Sequence, residues 1–402
     1  MKKAKNMKNI SDFLSNNLFQ FENYPCECQK ETIFDAPGQA PHFKLKVCSL
    51  TDKEPLRFSY SAQKGLNQSG NAGGVISENI LGQLLSLPIG NIDATISFLE
   101  KYGFLFSISD EQYEAIDDVA LLSIIERVKA TVMLMSAIAG KRDYKKMFIC
   151  TTYLLYSDPV KLELSSSVYS TANNHPFTEL IRSYNTMPDT SRNQEFFENE
   201  YISVWDTISK SYQKVYIDEL AGMGMGDGIS GIPGSSDWHF RNLFALYTNY
   251  PDADENLRTI INFYYNYQKR VGVIKDIEAS RIIYHTAPKR ENFSDDMKEA
   301  LVKIAKATIS AEINANLRGV SPQFNIETLS PSWKLSTFLE ALYFSIFYMK
   351  PGIELYKECE NPNCKHDKYF LINATITNKK YCCPACANAA AQRRSRQRKI
   401  NK

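Results

Sequence analysis

At about 150 residues per folded unit, the 402 residues of this chain suggest two or three units. Hydrophobic residues make up 44% and charged residues 23%, and 23 Tyr and 22 Phe supply apolar surface for a sizeable core, which argues against extended disorder. The net charge of +2 hides an asymmetry: residues 357–402 hold eleven Lys or Arg against three acids, a local +8, leaving −6 for the rest, as in an acidic body with a basic tail suited to phosphate.

Residues 1–74 read as a β-containing region. Residues 42–50 (HFKLKVCSL) and 56–61 (LRFSYS) alternate apolar and polar side chains and are expected to pair as strands. Residues 35–41, with two Pro and a Gly, read as a loop, and the Gly-rich stretch 65–74 reads as a linker. The opening residues lack the continuous apolar stretch of a signal peptide. No uncharged apolar run approaches the ~18 residues of a membrane span. The expected location is the cytoplasm, with no membrane partner.

From residue 75 to 350 the spacing becomes helical, the mark of an α-helical body. Helices are expected over 77–87, 92–102, 110–139, 144–156, 194–220, 237–249, 255–270, 295–317 and 333–349. In the last, Leu335, Phe338, Leu339, Leu342, Ile346 and Phe347 share one face, and Ser332 stands at the N-cap position. A Gly-rich loop at 222–236 interrupts the series. Gly226, Gly228 and Gly231 match G-x-G-x-x-G in form, but a dinucleotide site needs a strand before the glycines and a helix opening on them. Ser235, Asp237 and His239 gather the side chains of a nucleophilic triad, yet near neighbours in sequence cannot converge in that geometry. Cys26 and Cys28 have no further Cys or His close in sequence to complete a metal site. The aromatic run from Phe263 to Tyr267 has the spacing of a helix core face. No catalytic constellation emerges, so no enzymatic activity is expected.

Five of the nine cysteines fall between Cys359 and Cys386, an odd and bunched distribution unlike a secreted disulfide framework. Cys359 with Cys364, and Cys382 or Cys383 with Cys386, make two close pairs about a hairpin apart. Zinc takes four tetrahedral ligands of this kind. Pro362 and its Asn neighbours suit a turn between the first two thiols. Tyr369 to Ile372 reads as a short strand, Asn373 to Asn378 as a turn and Lys379 to Tyr381 as a return strand. Pro384 suits the first position of a helix. His366 is a further candidate ligand. A 46-residue unit has little apolar area, and structural zinc contributes on the order of 10 kcal/mol to such folds.

The layout resembles a treble-clef finger. The motifs Cys359-x-Asn361-Pro362-x-Cys364 and Tyr381-Cys382-x-x-x-Cys386-x-Asn388, followed by an Arg-rich helix, resemble the CGNR-type zinc finger of bacterial regulator-like proteins. The resemblance covers residues 357–402 and selects Cys359, Cys364, Cys382 and Cys386 as the ligands of one structural Zn2+. In the name-giving tetrad, Ala387 and Ala389 replace the Gly and Arg.

After Cys386 come strong helix formers and a run of cations: Arg393, Arg394, Arg396, Arg398 and Lys399, with no acid. Arginine favours bidentate contact with phosphate or a guanine edge. The expectation is a mainly α protein with a small β-containing N-terminal region (1–74), a helical body (75–350) and a C-terminal treble-clef-like zinc finger (351–402). By resemblance it is a transcription regulator that binds nucleic acid, with DNA favoured over RNA. The alternative is a zinc-stapled structural or protein-interaction module.

Overall fold

A computed structural model describes residues 19–33, 42–61, 65–69, 75–110, 112–139, 142–183, 243, 246–247, 254–285, 287–326, 329–349, 354–364, 368–373 and 378–400. In chain order the elements are β1 (Phe19–Asn23), β2 (Cys26–Ile33), β3 (His42–Ser49), β4 (Leu56–Ser61), β5 (Gly65–Ser69), β6 (Val75–Asn79), α1 (Ile80–Ser86), α2 (Ile92–Tyr102), β7 (Glu114–Asp117), α3 (Asp118–Ala139), α4 (Tyr144–Tyr156), β8 (Lys161–Glu163), β9 (Val168–Ser170) and α5 (Pro176–Ser183). There follow α6 (Glu255–Arg270), β10 (Ile274–Glu278), β11 (Arg281–Tyr284), a short 3-10 turn (Arg290–Asn292), α7 (Asp295–Asn316), β12 (Ser321–Asn325), β13 (Ser330–Lys334), α8 (Phe338–Tyr348), β14 (Glu354–Glu358), β15 (Tyr369–Asn373) and α9 (Pro384–Ile400). Helices and small antiparallel sheets therefore alternate along the chain, and β structure is not confined to residues 1–74.

The described residues form two compact units, each discontinuous in sequence. One is drawn from 1–141, 160–169 and 313–402, the other from 142–159 and 170–312. Each unit draws on separated stretches of chain, whereas the expected segments 1–74, 75–350 and 351–402 are consecutive.

In the first unit, a four-stranded sheet runs β1-β4-β5-β6 and a three-stranded sheet runs β2-β3-β7. The register puts Phe19 opposite Tyr60 and Phe21 opposite Phe58, so alternation collects four aromatic rings on one face. α8 covers that face, with Phe338 5.2 Å from Phe58 and Phe344 4.9 Å from Phe19, centroid to centroid. Gly103 ends α2 at φ 85°, where a Cβ would collide with Asn23 and the Tyr24 carbonyl.

Several expectations are corrected. Residues 42–49 and 56–61 are both strands but do not pair with each other. β3 joins β2 and β7, and β4 joins β1 and β5; the connection between β3 and β4 bonds back to the residue preceding β2 (Leu50 N to Pro25 O, 2.9 Å) instead of closing a hairpin. The expected linker holds β5, where Leu66 is fully buried between β4 and β6; residues 70–74 lie outside the described residues. The helix expected from 77 begins at Ile80, since Val75–Asn79 pairs with β5 and the Asn79 side chain caps α1 at Gly82 N, 2.8 Å. The helix expected from 110 begins at Asp118, after Glu114–Asp117 pairs with β3. The helix expected from 333 begins at Phe338, because residues 330–334 form β13. Its cap is Thr337, in a capping box with Glu340, and Ser332 lies in the strand.

In the second unit, α4 and α6 pack through aromatic side chains. Phe148 stacks on Tyr267 at 4.1 Å, and Thr152 and Tyr264 share a hydroxyl hydrogen bond of 2.9 Å. Phe263, Tyr264, Tyr265 and Tyr267 are all buried, so the aromatic run is core. The expected helix at 194–220, the Gly-rich loop at 222–236 and the Ser235–His239 cluster lie outside the described residues. Of the helix expected at 237–249, only Leu243, Leu246 and Tyr247 are described.

Candidate metal centre

The centre is built where a hairpin and a helix meet. β14 and β15 pair from Glu354 opposite Asn373 to Glu358 opposite Tyr369, so their ends bring Cys359 and Lys368 together at the tip. Cys359 N donates to Lys368 O at 2.7 Å and closes it. Within the tip, Cys364 N donates to Asn361 O at 3.0 Å, a turn around Pro362 and Asn363 that brings Cys364 back beside Cys359. Pro384 opens α9, where its missing N–H costs nothing, and places Cys382 before the helix and Cys386 in its first turn. The expected return strand at 379–381 is absent. β15 pairs with β14 instead, and Lys380 contributes a single carbonyl bond, to Glu360 N at 2.9 Å.

The Sγ atoms of Cys359, Cys364, Cys382 and Cys386 all lie within 4.8 Å of one another. Three edges of this cluster are short: Cys364 to Cys382 is 3.5 Å, Cys382 to Cys386 is 3.6 Å and Cys364 to Cys386 is 3.6 Å. A tetrahedral ion with sulfur ligands at about 2.3 Å sets its sulfurs about 3.8 Å apart. A disulfide would need about 2.05 Å. The spacing is that of four thiols arranged around a common point, and the set could bind a metal ion. Cys383 Sγ stands 3.8 Å from Cys382 Sγ. His366 lies outside the described residues.

Burial and the neighbouring thiols push the Cys382 thiol up, Cys364 first among them. Burial also acts against ionisation of Cys359, but backbone N–H groups of Cys382 and Asn361 outweigh it and hold that thiol below its ordinary range. The Cys383 thiol is lowered by the Cys386 backbone N–H, at the start of α9. Four thiols this close cannot all ionise without a cation among them, so metal binding must displace protons.

Two polar side chains brace the cluster. Asn361 is buried, and its Nδ2 donates to Cys386 Sγ at 3.2 Å. Its Oδ1 accepts from Arg393 Nη2, two turns along α9. Arg393, expected among the phosphate-contacting cations, is tied through Asn361 to the cysteine cluster. Arg394 and Arg396 are exposed on α9. Arg398 and Lys399 continue the helix, with side chains outside the described set. Asn361 is legible in sequence only as a turn residue, because its Asn363 partner is local while the other two are 25 and 32 positions away.

Leu355, Phe370 and Ile372 pack against Cys359 and Cys386, and Ala139 of α3 joins them. The hairpin is also bonded to α1 and its cap. Tyr356 Oη donates to Asn79 Oδ1 at 2.7 Å and Tyr369 N to Ser86 Oγ at 3.1 Å. Gly82 permits this approach, since a Cβ there would stand 2.8 Å from the Tyr369 carbonyl.

No family model, curated protein or solved structure matches the chain. Among the described residues, no helix is long and apolar enough to cross a membrane.

Proposed function

We propose that residues 357–402 form a structural zinc finger of treble-clef-like type, and that α9 presents its cations to nucleic acid, DNA in preference to RNA, in a regulatory protein. The observation that carries this reading is the four-thiol cluster seated at the start of a helix that bears exposed arginines. Four soft ligands fit zinc and leave no position for a catalytic water. Arg394 and Arg396 point to solvent, and Arg398 and Lys399 extend the same cationic run. The CGNR-type motifs agree with this reading.

The full-length zinc-loaded protein should contain about one zinc per chain by elemental analysis. Its affinity for duplex DNA should fall with salt on a log–log slope of roughly −3.5 to −4.5, from four or five phosphate contacts. Arg394→Ala with Arg396→Ala should reduce that slope by about 2. An unchanged slope in the double variant would reject α9 as the contact surface.

A second reading has its own support. The bonds from Tyr356 and Tyr369 to α1 and its cap tie the hairpin to the first unit. In that reading the zinc finger is a staple, and chelation destabilises the first unit while the zinc-loaded protein has no affinity for nucleic acid.

A further inference from the structure

We propose that the second unit contains a binding cleft for a small aromatic carboxylate, formed by the start of α4, the end of α6, the β10–β11 hairpin and the turn at Arg290. This proposal is independent of the metal centre. The cleft has a volume of about 380 Å³, within the range of about 300–1,000 Å³ usual for small-molecule sites.

Its apolar wall is aromatic. Phe148 stacks on Tyr267 at 4.1 Å, and Phe293 meets Tyr267 edge-on at 5.9 Å. Flat walls of this kind favour a planar apolar ligand body. A pair of phenols lines the cleft, Tyr267 Oη and Tyr284 Oη, 2.8 Å apart. Their mutual bond uses one of two hydroxyl hydrogens, and the other has no acceptor among the described residues. A ligand oxygen would accept it.

Charge selects the kind of oxygen. Lys145 and Arg290 line the cleft, and neither is paired with a carboxylate among the described residues. Arg281 also lines it but is held by Glu278 through two bonds of 2.7 Å. Burial pushes both phenols up, so they stay protonated donors, and the Arg290 charge acts on each in the opposite direction. Its backbone is fixed in place, with Lys289 N bonded to Val271 O at 2.7 Å and Asn292 Nδ2 to Arg270 O at 2.8 Å. The site therefore needs little reorganisation to receive an anion. A carboxylate suits it better than a phosphate dianion, because the Asp143 carboxylate already caps α4 at this end (Lys146 N to Oδ1, 3.0 Å).

The test is calorimetric titration of the full-length protein with 2-naphthoate. The expected result is saturable binding of one molecule per chain, with the neutral 2-naphthamide binding at least about tenfold more weakly. Arg290→Gln, at an exposed position, should weaken 2-naphthoate about tenfold, and Tyr284→Phe several-fold, with circular dichroism unchanged in both. No saturable binding to the native chain would overturn the proposal, as would equal affinity for acid and amide. So would unchanged affinity in both variants. A preference of more than about tenfold for 2-naphthyl phosphate over 2-naphthoate would replace the carboxylate with a phosphate ligand.

Discussion

Asn361 shows how one short side chain serves several partners, the Asn363 N–H of its own turn among them at 3.4 Å. Its amide N–H groups face a thiol of the cluster, and its carbonyl oxygen takes the Arg393 guanidinium. A hydrogen bond to a ligating thiolate disperses its charge and fixes its orientation. Asn361→Ala is expected to weaken metal binding about 10- to 100-fold, measured by competition with a chelating dye. Unchanged affinity would reduce Asn361 to a turn residue. Cys150, deep in α4, makes a different prediction. Burial pushes its thiol up from an ordinary 9.0 to about 12. Between those values the unfolded chain has already lost the proton that the folded chain keeps. The contribution of this group to stability is therefore complete below about pH 9 and declines as the pH rises toward 12. The urea midpoint should fall between about pH 9 and 11, and Cys150→Ala should be less stable at neutral pH but show a shallower fall.

Helices with a clear polar cap and an unbroken period were legible from sequence. α2, α4 and α6 start where Asn91, Asp143 and Asp254 cap them. The starts of α1, α3 and α8 were not, because the residues before each are claimed by strands. Val75–Asn79, Glu114–Asp117 and Ser330–Lys334 satisfy their backbone groups with partners distant in sequence or across a hairpin. The cap of α8 is a specific consequence. Thr337→Ala should destabilise the protein by about 1 kcal/mol in chemical denaturation, and Thr337→Ser should restore most of it. A neutral Thr337→Ala would show that packing of Phe338 and Phe344 alone sets the start of the helix.

Across the whole chain, the cysteine cluster is not an appendage. Its hairpin shares a small apolar core with Ala139 of α3 and bonds to Asn79 and Ser86. Metal binding should therefore support the first unit, because a ligand of the folded state stabilises everything that unfolds with its site. In hydrogen-exchange mass spectrometry, a strong chelator should raise exchange in β15, α9 and α1 while leaving α4 and α6 unchanged. Equal acceleration in α4 and α6 would mean the two compact units unfold as one. Exchange confined to α9 would mean that the hairpin holds to α1 without the metal.

The sequence by itself determined the local features. These are two close cysteine pairs at opposite ends of a short strand segment, a proline at a helix start, a run of arginines and the periodic helices. Each depends on neighbours within a few residues, where spacing and chemistry are visible in one dimension. Only the tertiary structure decided that β3 and β4 belong to different sheets, that the Gly-rich stretch after residue 64 holds a buried strand, and that residues 313–402 cluster with the N-terminal sheets. It also decided that Cys382 Sγ lies with the other three thiols and that Arg393 turns inward to Asn361. These outcomes rest on hydrogen bonds and burial between residues far apart in sequence, and no local pattern encodes which distant partner a side chain meets.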